Sequence, residues 1–206
     1  MPALPSCSGS IARLMYRIRA LLFDLDGTLI DSSEANYSAY SRALAEFGVV
    51  MEPRVVAKIA GDRQWREFLP ELLRCAGVDE DPARIASRKF ELYRTAIAGV
   101  RLNRPLLGLA AAVRPAIRTA LVTTASASSV GAILAHFAMR ELFDVVVTGD
   151  DVVRYKPDPE AYRVAVERLS IPAEDCLAFE DSEVGTASAT AAGVAVVRVR
   201  FTETTG

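Results

Sequence analysis

Five short runs of apolar and β-branched residues constrain the fold of this chain more than any other feature. They lack the in-and-out alternation of a half-exposed sheet, which is typical of strands buried on both faces. The five runs are Ala20–Leu25, Thr119–Thr124, Asp144–Thr148, Cys176–Glu180 and Val194–Val199. From the second run onward they alternate with helical patterns, for example Ser128–Arg140 and Asp158–Leu169. This alternation predicts an α/β fold with a doubly wound, five-stranded parallel sheet.

A long helical segment interrupts this pattern. About ninety residues separate the first two runs, which is far more than a simple crossover needs. Apolar and aromatic residues recur there at helical spacing, for example over Trp65–Arg74 and after Asp81-Pro82. We therefore predict that residues 33–103 form a separate helical insert. Residues 15–32 and 104–206 then form the core of the protein.

Length and charge exclude several classes of protein. A chain of 206 residues is long enough for one domain with a modest insert. Lys and Arg (24) nearly balance Asp and Glu (26), and a net charge of −2 gives no electrostatic basis for binding nucleic acid. No apolar run reaches the roughly 18 residues that a membrane helix needs. We expect neither a nucleic-acid partner nor a membrane span.

The cysteines and the N-terminal residues indicate where the protein works and where its folded part begins. Cys7, Cys75 and Cys176 are widely separated and form no CxxC pattern, which favours a reducing cytosol over a disulfide framework or a zinc site. Residues 1–14 contain Pro, Ser and Gly and predict a loose leader before a folded part that starts at Met15. We expect a cytoplasmic protein that is a monomer or a weak homodimer.

Polar and charged residues gather where the predicted strands end. Residues at the carboxyl ends of parallel strands meet at one edge of the sheet. Asp24 and Asp26 stand at the end of the first run, and a turn at Gly27 allows both to reach one cavity. The remaining strand-end residues are Thr123, Thr124, Lys156, Glu180 and Asp181. Carboxylates combined with hydroxyl groups and an ammonium predict a site for a hard divalent cation and a phosphoryl group, because acids alone would repel the phosphoryl group.

Each of these residues also has an ordinary structural interpretation. A single Asp or Thr at a strand end is often only a turn or cap former, and it is the joint pattern that favours a site. We expect Asp31 and Ser32 to cap the helix that follows them. Asp150 and Asp151 are predicted to be cap residues as well, and His136, the only histidine, to be structural.

Four segments of the chain resemble the four motifs of the haloacid dehalogenase-like hydrolases. They are FDLDGTLIDS (Phe23–Ser32), ALVTTAS (Ala120–Ser126), YKPDPEAY (Tyr155–Tyr162) and AFEDSEVGTASATAAGV (Ala178–Val194). The resemblance covers residues 19–199, and the insert is similar to the small helical cap of the phosphoglycolate phosphatase and β-phosphoglucomutase branch. It implies a Rossmann-like core with a helical cap and a hydrolase that acts on a small phosphorylated metabolite, either a sugar phosphate or a phosphoglycolate-like ester.

The resemblance also implies the chemical role of the strand-end residues. Asp24 would be the nucleophile that forms an aspartyl-phosphate. Asp26 would protonate the leaving oxygen and then deprotonate the attacking water. Thr123 and Lys156 would bind the oxygens of the transferring phosphoryl group, and Thr124 would contribute to substrate binding.

A Mg²⁺ site is part of the same resemblance. The cation would be held by a side-chain oxygen of Asp24, the backbone carbonyl of Asp26 and the carboxylate of Asp181. Glu180 would bind the cation either directly or through water, and the sequence leaves both possibilities open. Lys156 would offset the crowding of these carboxylates.

The segment Ala57–Glu67 of the insert is similar to the specificity loop of such caps. Lys58, Gly61, Arg63 and Arg66 are its candidate contacts to the leaving group of the substrate. The alternative is a charged, solvated surface with no role in binding. A compact cavity under a helical cap suits a small phosphate ester better than a phosphoprotein.

Two other functions use related residues in a different order. A phospho-receiver module has its acid pair at the first strand and the phosphorylated aspartate at the third, whereas here Asp24 leads and Glu180-Asp181 come last. A dehalogenase of the same resemblance does not keep the second acid of the first motif, so Asp26 and Asp181 argue against it. A regulator without activity is disfavoured because no motif residue is missing.

Phosphatase and phosphomutase share every core motif. Mutase-type members carry a histidine twelve residues after the nucleophile, and the corresponding residue here is Asn36. Asparagine neither takes up a proton nor carries charge at neutral pH. We therefore predict a phosphatase, with Asp26 free to activate water.

Overall fold

The computed structural model describes residues 18–61 and 63–201. The predicted leader (1–14) and the predicted start at Met15 lie outside these residues. In chain order the strands are β1 (Ala20–Phe23), β2 (Ile30–Asp31), β3 (Arg101–Leu102), β4 (Arg118–Val122), β5 (Val145–Val147), β6 (Cys176–Glu180) and β7 (Ala195–Arg198). Five of them form a parallel sheet in the order β5-β4-β1-β6-β7, which confirms the predicted fold class.

The central strand explains why its sequence lacks alternation. β1 pairs with β4 on one side and β6 on the other, and all four of its residues are buried. Leu21 and Phe23 pack into the apolar core on one face of the sheet, whereas Ala20 and Leu22 pack into the core on the opposite face. Because both faces are covered, every position of the strand is apolar.

The strands end earlier than the apolar runs predict. β1 stops at Phe23 and β4 at Val122, each two residues before the end of its run. One further ladder bond continues beyond each strand, from Asp24 N to the Phe179 carbonyl (3.0 Å) and from Thr123 N to the Val147 carbonyl (3.0 Å). The chain then leaves the sheet, so the polar residues that follow lie at its edge.

Eight α-helices occur in the described part of the chain. They are α1 (Ser33–Glu46), α2 (Pro53–Ala60), α3 (Trp65–Ala76), α4 (Pro82–Ala96), α5 (Arg104–Ala112), α6 (Ala127–His136), α7 (Glu160–Leu169) and α8 (Glu183–Ala191). The helix predicted over Ser128–Arg140 ends sooner because Ala138 has a positive φ of 53°. The helix predicted from Asp158 begins two residues later, although Asp158 Oδ1 still accepts from Glu160 N (2.9 Å). No helix of the described residues is long and apolar enough to cross a membrane.

The first four helices lie in the segment predicted to be the insert, and their buried side chains join one apolar cluster with those on one face of the sheet. α1 lies against α4, and Tyr40 of α1 meets Phe68 of α3 edge-on with ring centroids 5.3 Å apart. Leu44 and Ile85 are fully buried between the helices. With the helices packed in this way, one face of the insert lies toward the ends of the sheet strands.

The chain passes between core and insert twice, at adjacent positions. β2 pairs with β3 in antiparallel register, with Ile30 opposite Leu102 and Asp31 opposite Arg101. Asp31 and Arg101 also form an ion pair. Asn103, directly after β3, donates from Nδ2 to the Thr28 carbonyl (2.9 Å) and caps α5 by accepting from Leu106 N. Strands of two residues show no period, so the sequence did not predict this pair.

Candidate active site

The turn after β1 brings two carboxylates to one cavity. Gly27 has a φ of +86°, and a Cβ atom there would lie 2.0 Å from Asp181 Oδ2, so the turn requires glycine. Gly27 N donates to the Ile30 carbonyl (2.7 Å) and closes the turn. As predicted, Asp24 and Asp26 both line the same cavity, which has a volume of about 290 Å³.

A lysine joins two of the buried carboxylates. Lys156 Nζ donates to Asp24 Oδ1 (2.8 Å), Glu180 Oε1 (2.6 Å) and the Val122 carbonyl (3.0 Å). Burial opposes protonation of this lysine, but the charges of Asp24 and Glu180 outweigh it and raise the pKa of Lys156. The lysine is therefore held as a cation between two strand ends.

Three carboxylates form a compact cluster. One oxygen each from Asp24, Glu180 and Asp181 lies within 4.8 Å of the others, and two of these residues are buried. Glu180 Oε1 also accepts from the Tyr162 hydroxyl. Gly185 leaves space for this side chain, because a Cβ atom there would lie 2.0 Å from Glu180 Oε2. Burial and the neighbouring charge of Asp24 raise the pKa of Glu180.

Asp26 is in a different electrostatic state. Its side chain is accessible from the cavity but is surrounded by protein, and burial is the main cause that raises its pKa to about 6. The Asp24 charge raises this pKa further, whereas a hydrogen bond from the Ser32 hydroxyl lowers it. Near neutral pH such a carboxyl exchanges a proton readily.

The prediction that the Ser32 side chain caps a helix was wrong. Ser32 stands at the N-cap position of α1, but its hydroxyl donates to Asp26 Oδ1 and makes no cap bond. The cap bond comes from Asp31, whose Oδ1 accepts from Ser33 N (3.0 Å). The Ser32 hydroxyl therefore bonds to the Asp26 carboxylate instead of to the N-terminus of α1. The sequence shows only a loop between a strand and a helix, so it does not reveal which group this hydroxyl contacts.

The ends of β4 and β5 contribute hydroxyl groups and caps. Thr123 and Thr124 line the cavity, and Thr123 Oγ1 accepts from Ala125 N (3.1 Å). Asp150 Oδ2 accepts from Ala127 N (2.8 Å) and Asp151 Oδ2 from Thr148 N (2.8 Å), as expected of cap residues. His136 is exposed at the end of α6 and lies outside the cavity wall.

The specificity-loop residues separate into two groups. Gly61 and Arg63 line the cavity, but the Arg63 guanidinium donates to Glu71 Oε2 (2.8 Å) and to the Ile59 carbonyl. Lys58, predicted to bind substrate, is exposed and does not line the cavity. It lies on the side of α2 opposite the buried Val56 and Ala60, two positions away from each along the helix.

A buried lysine that was not predicted from the sequence lies in the cavity wall. Lys89 of α4 is only 7% exposed, and its Nζ lies 4.7 Å from the Tyr40 ring centroid and 4.4 Å from that of Tyr93. Burial lowers the pKa of Lys89 to about 8, and the charge of Asp26 opposes this shift. The available signal was its place on the apolar stripe of α4 together with Ile85 and Tyr93.

Other side chains of the insert complete the wall. Asn36, Tyr37 and Gln64 line the cavity, as does Trp65. The Arg66 guanidinium stacks 4.4 Å from the Trp65 ring centroid. The Trp65 ring therefore packs against Arg66 and also forms part of the cavity wall. Arg66 Nη1 also donates to Asp150 Oδ1 (3.0 Å), which joins the insert to the core.

The fold and this arrangement together define a hydrolase of phosphoric monoesters with a doubly wound α/β core. The family model for the haloacid dehalogenase-like hydrolases matches residues 21–199. The chain therefore belongs to the haloacid dehalogenase-like hydrolases, as its four motifs predicted.

Relatives of known name support the same class. The chain is 29% identical over 188 residues to fructose-1-phosphate phosphatase YqaB of Escherichia coli K12, covering 91% of this chain and all of that protein. It is 34% identical over 186 residues to phosphoglycolate phosphatase of Cereibacter sphaeroides, covering 84% and 81%. The crystal structure of CbbY from Rhodobacter sphaeroides in complex with phosphate superposes with a TM-score of 0.81, at 31% identity and 90% and 87% coverage.

Proposed function

We propose that this protein is a Mg²⁺-dependent phosphatase that hydrolyses a small sugar phosphate through an aspartyl-phosphate. The observation that carries the proposal is the bridge from Lys156 Nζ to Asp24 and Glu180, beside Asp26 in one cavity. The bridge fixes a nucleophilic carboxylate next to an acid whose pKa is raised. These are the two groups that a displacement at phosphorus in two steps requires.

In the first step, an Asp24 oxygen attacks phosphorus and the bond from phosphorus to the ester oxygen breaks. Asp26 gives its proton to that leaving oxygen, which departs as an alcohol. In the second step, Asp26 takes a proton from water, and the water oxygen attacks the aspartyl-phosphate. Inorganic phosphate leaves and Asp24 is restored. The positive charge of Lys156 and the hydroxyl of Thr123 stabilise the negative phosphoryl oxygens.

The acidic cluster fits a hard divalent cation. Three carboxylate oxygens within 4.8 Å of one another are the donor set that Mg²⁺ prefers in proteins. Asp24 and Asp181 would hold the cation together with the Asp26 backbone carbonyl. Glu180 Oε1 already accepts from Lys156 and Tyr162, which favours a water-mediated role for this residue. When bound, the cation neutralises negative charge on the phosphoryl group.

The wall of the insert favours a sugar as the leaving group. It presents aromatic rings and amide groups, among them Trp65, Tyr37 and Asn36. Relatives whose names specify phosphorylated carbohydrates, such as the fructose-1-phosphate phosphatase, support the same class. We further propose that the protein works in the cytoplasm as a monomer or a weak homodimer, which stays a prediction from the sequence.

Phosphomutase activity is the second candidate, and Asn36 argues against it. Asn36 lines the cavity twelve residues after Asp24, and its amide does not titrate near neutral pH. The enzyme would be incubated with β-glucose 1-phosphate, a trace of the 1,6-bisphosphate and Mg²⁺. We expect inorganic phosphate to form faster than glucose 6-phosphate, and the opposite order would overturn the choice of phosphatase.

The test of the main proposal is phosphate release from a panel of sugar phosphates and p-nitrophenyl phosphate. We expect release with Mg²⁺ present, its loss with excess chelator and its return when Mg²⁺ is added again. Full turnover in metal-free buffer would contradict the metal assignment. No release from any ester with Mg²⁺ present would contradict the phosphatase itself.

A further inference from the structure

Gln64 carries a buried hydrogen-bond donor that has no acceptor among the described residues. It precedes α3 and forms a capping box, in which its Oε1 accepts from Arg66 N (2.6 Å) and its N donates to Glu67 Oε2 (2.9 Å). The bond to Oε1 fixes which amide atom is the oxygen. Nε2 is then buried without a partner, and the residue is 4% exposed.

The residue that carries this donor lies in the wall of the active-site cavity. Gln64 lines the cavity between Arg63 and Trp65, in the loop that joins α2 to α3. Buried amide donors in native proteins almost always have a partner, because an unpaired one is destabilising. An unpaired donor on a residue of the cavity wall therefore points to an acceptor that arrives with the substrate.

The charges around Gln64 indicate what kind of acceptor fits. Arg63 is paired with Glu71 at 2.8 Å, and Arg66 with Asp150 at 3.0 Å. Each guanidinium is already paired with a carboxylate, so neither offers an uncompensated charge to a second phosphate or a carboxylate on the leaving group. Such anions in proteins are typically held by bidentate arginine or by several cations.

Lys89 is the remaining cation of the insert in the described wall of the cavity. Its ammonium lies over the rings of Tyr40 and Tyr93, and its charge is opposed across the cavity by Asp26. A single cation that already faces a carboxylate gives little net attraction for another anion. A hydroxyl oxygen, by contrast, accepts from an amide without needing a counter-charge.

We propose that Gln64 is a specificity-determining residue whose Nε2 donates to a hydroxyl oxygen of the leaving group. It selects esters with an uncharged, hydroxylated leaving group, that is sugar or polyol monophosphates, over esters whose leaving group ends in a carboxylate or a second phosphate. This inference rests on the proposed phosphatase function and names its substrate class.

The experiment compares kcat/KM for fructose 1-phosphate, fructose 1,6-bisphosphate and p-nitrophenyl phosphate in the full chain with Mg²⁺. We expect wild type to prefer the monophosphate to the bisphosphate. In Gln64→Glu, which keeps the capping oxygen, and in Gln64→Met, the ratio of fructose 1-phosphate to p-nitrophenyl phosphate should fall by about tenfold or more. In Gln64→Arg the preference should move toward the bisphosphate.

Arg54→Ala, on the exposed surface of the same insert, is the control and should keep the wild-type ratios. A wild-type preference for the bisphosphate, or unchanged ratios in all three Gln64 variants, would overturn the inference while the phosphatase stands. No hydrolysis of p-nitrophenyl phosphate or either sugar ester by wild type would instead mean that the proposed function has failed. Melting curves identify any variant that loses its fold, and the remaining variants and the wild-type preference then decide.

Discussion

The core and the insert hold the polar groups of the cavity in different ways. On the core side, charged groups pair with one another, as Lys156 does with Asp24 and Glu180. On the insert side, Gln64 Nε2 has no partner among the described residues, and Lys89 rests on aromatic rings. The core therefore holds its lysine already paired with carboxylates, whereas the insert holds a donor that, in our proposal, pairs only with the substrate. We therefore expect substitutions in the core to change mainly the rate of the chemical step, and substitutions in the insert to change mainly the choice of substrate.

The largest expected effect is on the core side, in Asp24→Asn. The amide is a poor nucleophile, so we expect turnover to fall by about 10⁴-fold or more while the melting curve stays close to that of wild type. Phosphate release under single- and multiple-turnover conditions measures the loss. Glu183→Gln, which removes an exposed carboxylate at the start of α8, is the matched control. Retained turnover in Asp24→Asn would remove the aspartyl-phosphate route.

Lys156→Met tests whether pairing in the core serves both chemistry and stability. The change leaves the buried carboxylates of Asp24 and Glu180 without their cation, so we expect kcat/KM to fall by about 10³-fold. The free energy of unfolding at pH 7 should fall by about 3 kcal/mol. Urea titration and phosphate release give the two values. Lys58→Met, at an exposed lysine of the insert, should change neither by much, and equal effects in both variants would refute the contrast.

Much of the core side was predictable, and the reason is topological. Parallel strands place their carboxyl ends together whatever the details, so Asp24, Thr123, Lys156 and Asp181 could be assigned to one site from their positions alone. The insert offered no such rule, because helix periodicity gives each helix a buried face but not the angle at which helices meet. Lys89 and Gln64 were missed for that reason, and Lys58 was wrongly included.

Lys89→Met tests the insert side through its pH dependence. The folded-state pKa of Lys89, about 8, lies below its ordinary value of 10.5. Between these values the unfolded chain binds a proton that the folded chain does not, so the free energy of unfolding rises with pH there. Relative to Lys89→Met, wild type should gain about 1.5 kcal/mol from pH 8 to pH 9.5.

Urea unfolding of both proteins at the two pH values measures this gain. Lys58→Met, which removes an exposed lysine of the insert, serves as the control. A difference between wild type and Lys89→Met that stays constant with pH would show that Lys89 keeps an ordinary pKa. The cavity wall would then be wetter than its packing indicates.

The smallest expected effect concerns the ion pair that joins the two regions. The side chains of Arg66 and Asp150 are 47% and 35% exposed, so the coupling free energy of this ion pair should be below about 1 kcal/mol. We expect Arg66→Asp to raise KM about threefold and 0.5 M salt to weaken this effect. Asp150 also accepts from Ala127 N at the start of α6, so Asp150→Arg alone is the reference for the double variant Arg66→Asp/Asp150→Arg. The KM of the double variant should be lower than that of Asp150→Arg.

A pair confined to the insert provides the comparison. Exchanging the charges of Glu80 and Arg84, which pair at 2.8 Å within the insert, should leave KM unchanged. If both exchanges change KM equally, the contact between core and insert has no special role in closing the cavity.

The adjacent crossings of β2 and β3 have an evolutionary consequence. With Ile30 opposite Leu102 and Asp31 opposite Arg101, the segment between them starts and finishes at one point of the core. The entropic cost of bringing the two ends of this inserted segment together is only slightly larger than that of a short turn, because loop-closure entropy grows slowly with length. Evolution or protein engineering can therefore replace the inserted segment with one of another shape while β1 and β6 keep their register. New substrate preferences then arise without any change in the strands that carry out hydrolysis.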